Sequence, residues 1–560
     1  MQNTTRQIQT DVLVIGGGAT GLGTVRDLAM RGIRTVLVEK GDLTHGTTGR
    51  YHGLLHSGGR YVVKDPQSAT ECAEENAILR RIMPQYIEDT SGFFVITPWD
   101  DPDYGDRFLK ACHDTRVPVQ EISVEEALRR EPVLNPKISR VFEVPDGSAD
   151  SFMSAYGIAR SATQYGASIL NYHFVTDLVR EGDRIVAAIV EDLRTGEHKR
   201  IEATYILNTA GAWAGKIAQL ADLRVNVMPG KGTMIAMNHR MVNTVINRCK
   251  LPADGDILVP IHTVSVIGTT DIHVLDPDVY GIEPDEVTFL MEEGEKMIPG
   301  FTRYRALRAW AGVRPLYREE SSAVSDRDVS RAYKLLDHRK RDGVDGFISI
   351  VGGKWTTYRL MAEEIVDIVA ARLGVSTPCR TAQEVIPGGE ESKLYWLGHN
   401  LAHVEADDSY GDLLCECELV TRKQVVQAIQ GGAANLDDVR RETRLGMGPC
   451  QGGFCTYRAA ALWGEVKPDA VPTNAKNNGK LAQDGAGMPG TALVRHFLQE
   501  RWKGLTSIMW GDQLRQARLD QLIYVDTLGI DLLPEHIRPP QPENELVTGH
   551  PAIATEYHHD

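Results

Sequence analysis

Residues 11–39 constrain this chain more than any other stretch. Asp11-Val-Leu-Val-Ile15 is a short apolar run that predicts a buried strand. Gly16-Gly17-Gly18-Ala-Thr20-Gly21 follows at once, then a helical pattern to Arg31 and a second apolar run, Thr35-Val-Leu-Val-Glu39. Strand, glycine turn, helix and strand make a βαβ unit, which opens a parallel sheet. The spacing G-x-G-x-x-G lets the backbone approach a pyrophosphate, whose charge then faces the helix N-terminus. Glu39 ends the second strand, where a carboxylate can accept hydrogen bonds from a ribose. It argues against a 2′-phosphate, and so against NADP, and leaves FAD and NAD both open.

The rest of the chain extends this frame. Ala203–Asn208, followed by Thr209-Ala210-Gly211, and Phe347–Val351, followed by Gly352-Gly353 and a helix through Met361 to Arg372, read as further nucleotide-domain segments. These parts recur at about 11–60, 170–220 and 345–372 within a unit 1–375. Substrate-domain segments lie between them, including a helix at about 67–86. Phe93–Thr97, Gly182–Val190 and Ser265–Thr269 read as strands of a sheet covering a pocket. Residues 376–410 lack periodicity and read as a linker, and 411–465 form a cysteine module. Residues 466–490 are rich in Pro, Gly, Asn and Lys, as a flexible linker would be. Residues 491–535 look helical, with Trp502 and Trp510 on a possible docking face, and 536–560 read as a disordered tail.

Length, charge and cysteine use limit the function. The 560 residues leave room for two to four domains, and a net charge of −15 excludes a broad nucleic-acid surface. The N-terminus carries no apolar leader and no run of 18 apolar residues occurs, so a cytoplasmic protein is expected. Four of eight cysteines fall in one window, Cys415-x-Cys417 and Cys450-x4-Cys455. One intervening residue is closer than the two to four usual in structural zinc sites, which favours an iron–sulfur cluster over zinc or free thiols. Cys72, Cys112, Cys249 and Cys379 are scattered and read as ordinary reduced thiols.

Three polar blocks flank the glycine frame. Thr47-Thr48-Gly-Arg50-Tyr-His52-Gly-Leu-Leu-His56-Ser-Gly-Gly-Arg60-Tyr61 carries histidines and arginines among glycines. Trp310-Ala-Gly-Val-Arg314-Pro-Leu and Gly352-Gly353-Lys354-Trp-Thr356-Thr357 place Arg314 and Lys354 where they can hold an anion. A lone arginine or lysine is usually a surface ion-pair partner, but here the cations cluster at predicted strand ends.

The words LLHSGGRY, NTAGAWA, GTTD, WAGVRPL and GGKWTTYRLMAE resemble the FAD-dependent glycerol-3-phosphate dehydrogenases, within the glycine/D-amino-acid oxidase group. With CECELVT, RRETRLGMGPCQG and FLQERWKG, the chain as a whole resembles the catalytic-subunit family of the anaerobic glycerol-3-phosphate dehydrogenases. The module is similar to the bacterioferritin-associated-ferredoxin-like [2Fe–2S] domain. That family often has C-x2-C where this chain has Cys450-x4-Cys455, which makes Cys455 the weakest of the four candidate ligands.

The resemblance implies an α/β fold: an FAD-binding Rossmann-like domain with an interleaved α+β substrate domain and a small C-terminal iron–sulfur domain. It implies FAD held by Gly16, Gly17, Gly18, Thr20, Gly21, Glu39, Lys40, Thr47, Thr48, Arg50, His52, Val175, Ala210, Gly211, Gly353, Thr356 and Thr357. Oxidation of sn-glycerol 3-phosphate to dihydroxyacetone phosphate would use Arg60, Tyr61, Arg314, Arg331 and Lys354 around the substrate. Where relatives carry a histidine, Lys231-Gly-Thr-Met234 has methionine, so His56 becomes the candidate base. The implied partners are two further proteins of a complex, a second flavoprotein and a membrane-anchoring iron–sulfur protein. Through them the chain would sit at the inner face of the cell membrane and pass electrons to quinone in anaerobic respiration. The competing readings are an amino-acid oxidase on the same fold, and a non-catalytic scaffold or sensor with a zinc module.

Overall fold

A computed structural model of the chain describes residues 6–319, 332–406, 412–467 and 490–529. Arg331, residues 468–489 of the expected linker 466–490 and the whole of the expected tail 536–560 lie outside the described residues.

The first sheet carries the nucleotide frame. Arg6–Ile15 runs parallel to Thr35–Glu39 on one side and to Glu197–Asn208 on the other. Ser168–Asn171 and Phe347–Val351 extend the parallel set at its two edges. The strand order therefore reverses direction about Arg6–Ile15, and the crevice beyond its C-terminal end is the topological switch point where α/β sheets bind ligands. Helix Ala19–Met30 starts there and is buried along nearly all its length, which its run of small and apolar residues permits. At Gly23 a Cβ would meet the Tyr358 ring at 2.8 Å, so glycine lets helix Tyr358–Leu373 pack close.

The second, nine-stranded sheet covers the first. Its longest pair is Val227–Met237 against Ala306–Tyr317, with Gly232 opposite Gly312 and Met234 opposite Trp310. Gly92–Ile96 and Val264–Gly268 belong to this sheet. The expected third covering strand does not. Arg184–Asp192 pairs antiparallel with His173–Glu181 and Glu197–Asn208, forming an arm of the nucleotide sheet. Its alternating pattern describes any half-buried strand and says nothing about which sheet receives it.

Segment 376–410 is more than a tether. Ile386 is fully buried in the nucleotide-domain core, Arg26 donates to the Glu384 carbonyl at 2.9 Å, and Leu397–Ala406 is helical. The cysteine module pairs strands Leu413–Cys415 and Val420–Thr421 with helices Arg422–Gln430, Leu436–Thr443 and Cys455–Val466. Helix Gly490–Leu505 completes its core with Leu493 and Phe497. That inner face is packed, whereas Trp502 and Trp510 point outward, 53% and 37% exposed. Among the described residues no helix is long and apolar enough to cross a membrane.

Candidate active site

The glycine turn is built for a ligand that lies against its backbone. Gly16 has φ +112°, and a Cβ there would meet the Thr209 carbonyl at 2.8 Å. A Cβ on Gly21 would come within 1.9 Å of the Gly16 carbonyl. Helix Ala19–Met30 has no side-chain cap from Gly18, and Thr48 reaches in to accept from the Ala19 amide at 3.0 Å. Glu39 accepts from the amides of Gly17 (2.6 Å) and Gly41 (2.8 Å). Burial pushes its pKa upward against these two bonds. The carboxylate thus stands at the end of its strand, in the place from which a ribose is held in such folds.

A cavity of about 2410 Å³ runs from this turn. Gly16, Gly18, Thr20, Glu39, Lys40, Val175, Ala210 and Gly211 line one part, and Thr47, Thr48, Arg50, His52 and Gly353 another. Gly353 has φ +74° and packs where a Cβ would meet Met361 Sδ at 2.3 Å, so only glycine keeps this wall flat. Gly17 and Gly21 shape the turn from behind. Thr356 and Thr357 are fully buried outside the cavity lining, and Thr356 Oγ1 accepts from the His56 amide at 3.1 Å. Thr357 instead bonds the Lys354 backbone, accepting from its amide at 3.3 Å. These residues bring bare backbone and small side chains to the cavity wall, and the cradle fits FAD.

Further along the cavity stand His56, Tyr61, Arg314 and Lys354. His56 Nε2 lies 3.5 Å from the Tyr61 hydroxyl, and Lys354 Nζ sits 4.6 Å from the Tyr61 ring centre while donating to Ser68 at 3.0 Å. Arg314 donates to Asp271 (3.0 Å), the Thr270 carbonyl (2.9 Å) and Thr269. A Cβ on Gly232 would meet the guanidinium at 2.5 Å, so the glycine after Lys231 makes room for Arg314. Lys231 itself is buried against Glu286 at 2.6 Å, and Met234 is buried beside Gly268.

Arg60 is placed differently from Arg314. Its guanidinium is paired with fully buried Asp256 at 2.8 Å and donates to the Ala253 carbonyl, and it is not part of the cavity wall. A buried carboxylate requires a counter-charge, and Arg60 supplies it.

The four module cysteines converge. Cys417 and Cys450 sulfurs are 3.9 Å apart, and Cys415 lies beside Cys417 and Cys455. Hydrogen bonds from Cys417 and Cys455 lower the pKa of the Cys415 thiol, and one from Cys417 lowers that of Cys450. Among the described residues no three His, Cys, Asp or Glu side chains gather as a single-metal site. Cys455, Cys415, Cys417 and Cys450 follow one another as neighbouring sulfurs, and these four donors fit a [2Fe–2S] cluster. By contrast burial pushes Cys72 and Cys112 up to about 12 and Cys379 to about 11, as inert thiols.

Sequence reasoning missed the seam joining module and flavin domain. Arg441 bridges Asp42 (2.9 Å) and Asp438 (2.5 Å), and Tyr172 donates to Asp438 at 2.5 Å. Arg444 bridges Asp150 (2.7 Å) and Glu418 (2.8 Å), with His262 on Asp150 at 3.0 Å. Burial works against ionised Asp150, but Arg444 and His262 outweigh it and hold its pKa far below the carboxylate range. Asp42 lies just beyond Glu39, so the module is keyed onto the dinucleotide loop. The arginine-rich word RRETRLGMGPC carried this signal, but its flavin-domain partners Asp42 and Asp150 lie hundreds of residues upstream.

Comparison with known proteins agrees. The model of the family described as FAD dependent oxidoreductase matches residues 11–359, and that of the BFD-like [2Fe-2S] binding domain matches 413–464. The chain is 41% identical to the A subunit of the anaerobic glycerol-3-phosphate dehydrogenase of Escherichia coli (strain K12), over 94% of this chain and 98% of that one. It is also 41% identical to the A1 subunit of the Haloferax volcanii enzyme, over 93% and 91%. The solved structure of a Bacillus halodurans glycerol-3-phosphate dehydrogenase complexed with FAD shares the fold, with TM-score 0.57 and 22% identity over 95% of this chain and 96% of that one.

Proposed function

The chain belongs to the FAD dependent oxidoreductase family and to its anaerobic glycerol-3-phosphate dehydrogenase A subunits, and from that premise we propose how its own residues work. It is an FAD-dependent dehydrogenase with a [2Fe–2S] module, and it oxidises sn-glycerol 3-phosphate to dihydroxyacetone phosphate. FAD, when bound, supplies the hydride acceptor that no side chain can provide. Arg314 and Lys354 hold the phosphate, the arginine as a fork and the lysine as a point charge. His56, steadied by Tyr61, takes the proton of the C2 hydroxyl while C2 gives up its hydride, so the substrate loses two electrons and two hydrogens. Cys415, Cys417, Cys450 and Cys455 would hold the [2Fe–2S] cluster, which would supply a one-electron carrier beside the flavin.

The chain works within a complex, which the naming of its relatives as one lettered component of an enzyme supports. A second flavoprotein and a membrane-anchoring iron–sulfur protein would carry the electrons to quinone, which would place the chain at the inner face of the cell membrane.

The observation that carries this reading is a continuous cavity with the glycine turn at one end and His56, Arg314 and Lys354 further in. The test is the visible spectrum of protein purified without oxygen, before and after sn-glycerol 3-phosphate. Flavin and cluster bands that bleach on substrate are expected. Flavin that stays oxidised would overturn the substrate assignment and return the amino-acid oxidase reading.

A further inference from the structure

Beyond the seam the cavity reaches a second group of cations that the reaction does not use. Arg308 from the covering sheet, Arg440 from helix Leu436–Thr443, and Arg501 and Lys503 from helix Gly490–Leu505 line it, with Asp437, Glu500 and His496. Three separate parts of the chain thus deliver arginines to one place. Arg440 is paired with Asp437 at 2.8 Å, and Lys503 with Glu500 at 2.6 Å. His496 also faces Asp437, at 3.7 Å. Among the described residues that leaves Arg308 and Arg501 without a carboxylate of their own.

Arg501 is 4% exposed; one of its nitrogens donates to Gln451 at 3.1 Å, and its Nε and Nη2 have no hydrogen-bond partner among the described residues. Arg308 Nε is likewise buried without a partner, and among the described residues no ion pair reaches this guanidinium. Burial, then neighbouring Arg440, lowers the Arg308 pKa to about 10, and burial, then Arg308, lowers that of Arg501 well below its usual value. A guanidinium does not surrender its proton in a protein. A buried Arg501 with two open donors, beside a partly buried Arg308 with one, is a place that an anion would satisfy.

We propose that Arg308 and Arg501, with Arg440 beside them, form a second, non-catalytic binding site for a phosphate dianion. A phosphate or phosphate monoester carries close to two negative charges at neutral pH and three acceptor oxygens, which matches the two surplus cations and their fork geometry. The site belongs to the substrate's own path. Arg308, Trp310, Gly312 and Arg314 alternate along one strand and so share a face, and Arg308, Trp310 and Arg314 all line the cavity. Six residues of strand separate the two arginines by roughly 20 Å, too far for one phosphate to touch both. The outer site concentrates phosphate esters at the head of a channel whose inner end is Arg314.

The test is calorimetric titration of inorganic phosphate into the flavin- and cluster-loaded protein at constant ionic strength. Wild type is expected to bind two phosphates, and Arg308→Met and Arg314→Met one each. Arg501→Met should repeat the Arg308→Met result, with flavin and cluster absorbance reporting that each variant is folded. Loss at the outer site should be at least tenfold in affinity. Parallel titration with dihydroxyacetone phosphate distinguishes the source: two sites mark a staging site for the ester, whereas one ester site against two for free phosphate marks an inorganic phosphate site. A single phosphate in wild type, abolished by Arg314→Met, would overturn the proposal. So would Arg308→Met that binds as wild type does. One site, with a lowered cluster potential in Arg308→Met and Arg501→Met, would make the pair counter-charges of the cluster instead.

Discussion

The glycine turn at residues 16–21 and the seam at residues 435–444 sit on one cavity and meet their requirements in opposite ways. The turn works by leaving side chains out. Its bare backbone lines the cavity, and the contacts that demand glycine come from residues close in the chain or on the adjoining strand. The seam works by long charged side chains, each buried and each answered by a carboxylate of the flavin domain: Arg441 by Asp42, Arg444 by Asp150. A turn of the first kind tolerates no added atom, whereas a seam of the second kind tolerates no missing charge.

The largest effect should come from adding atoms at the turn. Gly21→Val would bring a Cβ within 1.9 Å of the Gly16 carbonyl. The purified variant should retain its cluster absorbance but carry no flavin and no substrate-dependent dye reduction. Flavin retained at wild-type content would show that the turn has slack.

Removing a charge at the seam should be milder but local. Arg444→Met would leave Asp150 and Glu418 buried without their common partner, a loss of about 3–5 kcal/mol for a broken buried pair. In denaturant the cluster absorbance should then be lost well before the flavin signal, whereas in wild type the two should fall closer together. Coincident transitions in the variant would mean that the module docks by its apolar surface instead.

The smallest effect is one of pH. Burial opposes ionisation of Asp437, but Arg440, Arg501, Arg441 and His496 outweigh it and bring its pKa to about 2. The folded pKa lies below the unfolded value of about 4. The stabilisation is therefore fully present above pH 4 and is lost as pH falls from about 4 towards 2. Asp437→Asn should flatten that part of the cluster-release profile. An unchanged profile would remove Asp437 from the seam's charge balance.

The fate of individual arginines shows what could be read in advance. Arg60 and Arg314 look alike in sequence, each in a glycine-bearing block. Arg314 lines the cavity because Gly232 on the neighbouring strand leaves space for it. Arg60 turns away because Asp256, nearly two hundred residues later, is buried beside it. The strand 184–192 teaches the same lesson, since its alternation is right and its sheet is not. Arg308 and Arg501 carried no signal, because each becomes unusual only where the other is.

The sequence by itself determined the βαβ opening, the glycine turn, the acid at its second strand and the four clustered cysteines. These depend on backbone conformation and short spacing, which local residue types control. Only the tertiary structure decided which cations face the cavity, which answer a buried carboxylate, and how the module is keyed to the flavin loop. A charge buried in a protein is governed by whatever else is buried within a few ångströms, and that is a property of the packed chain.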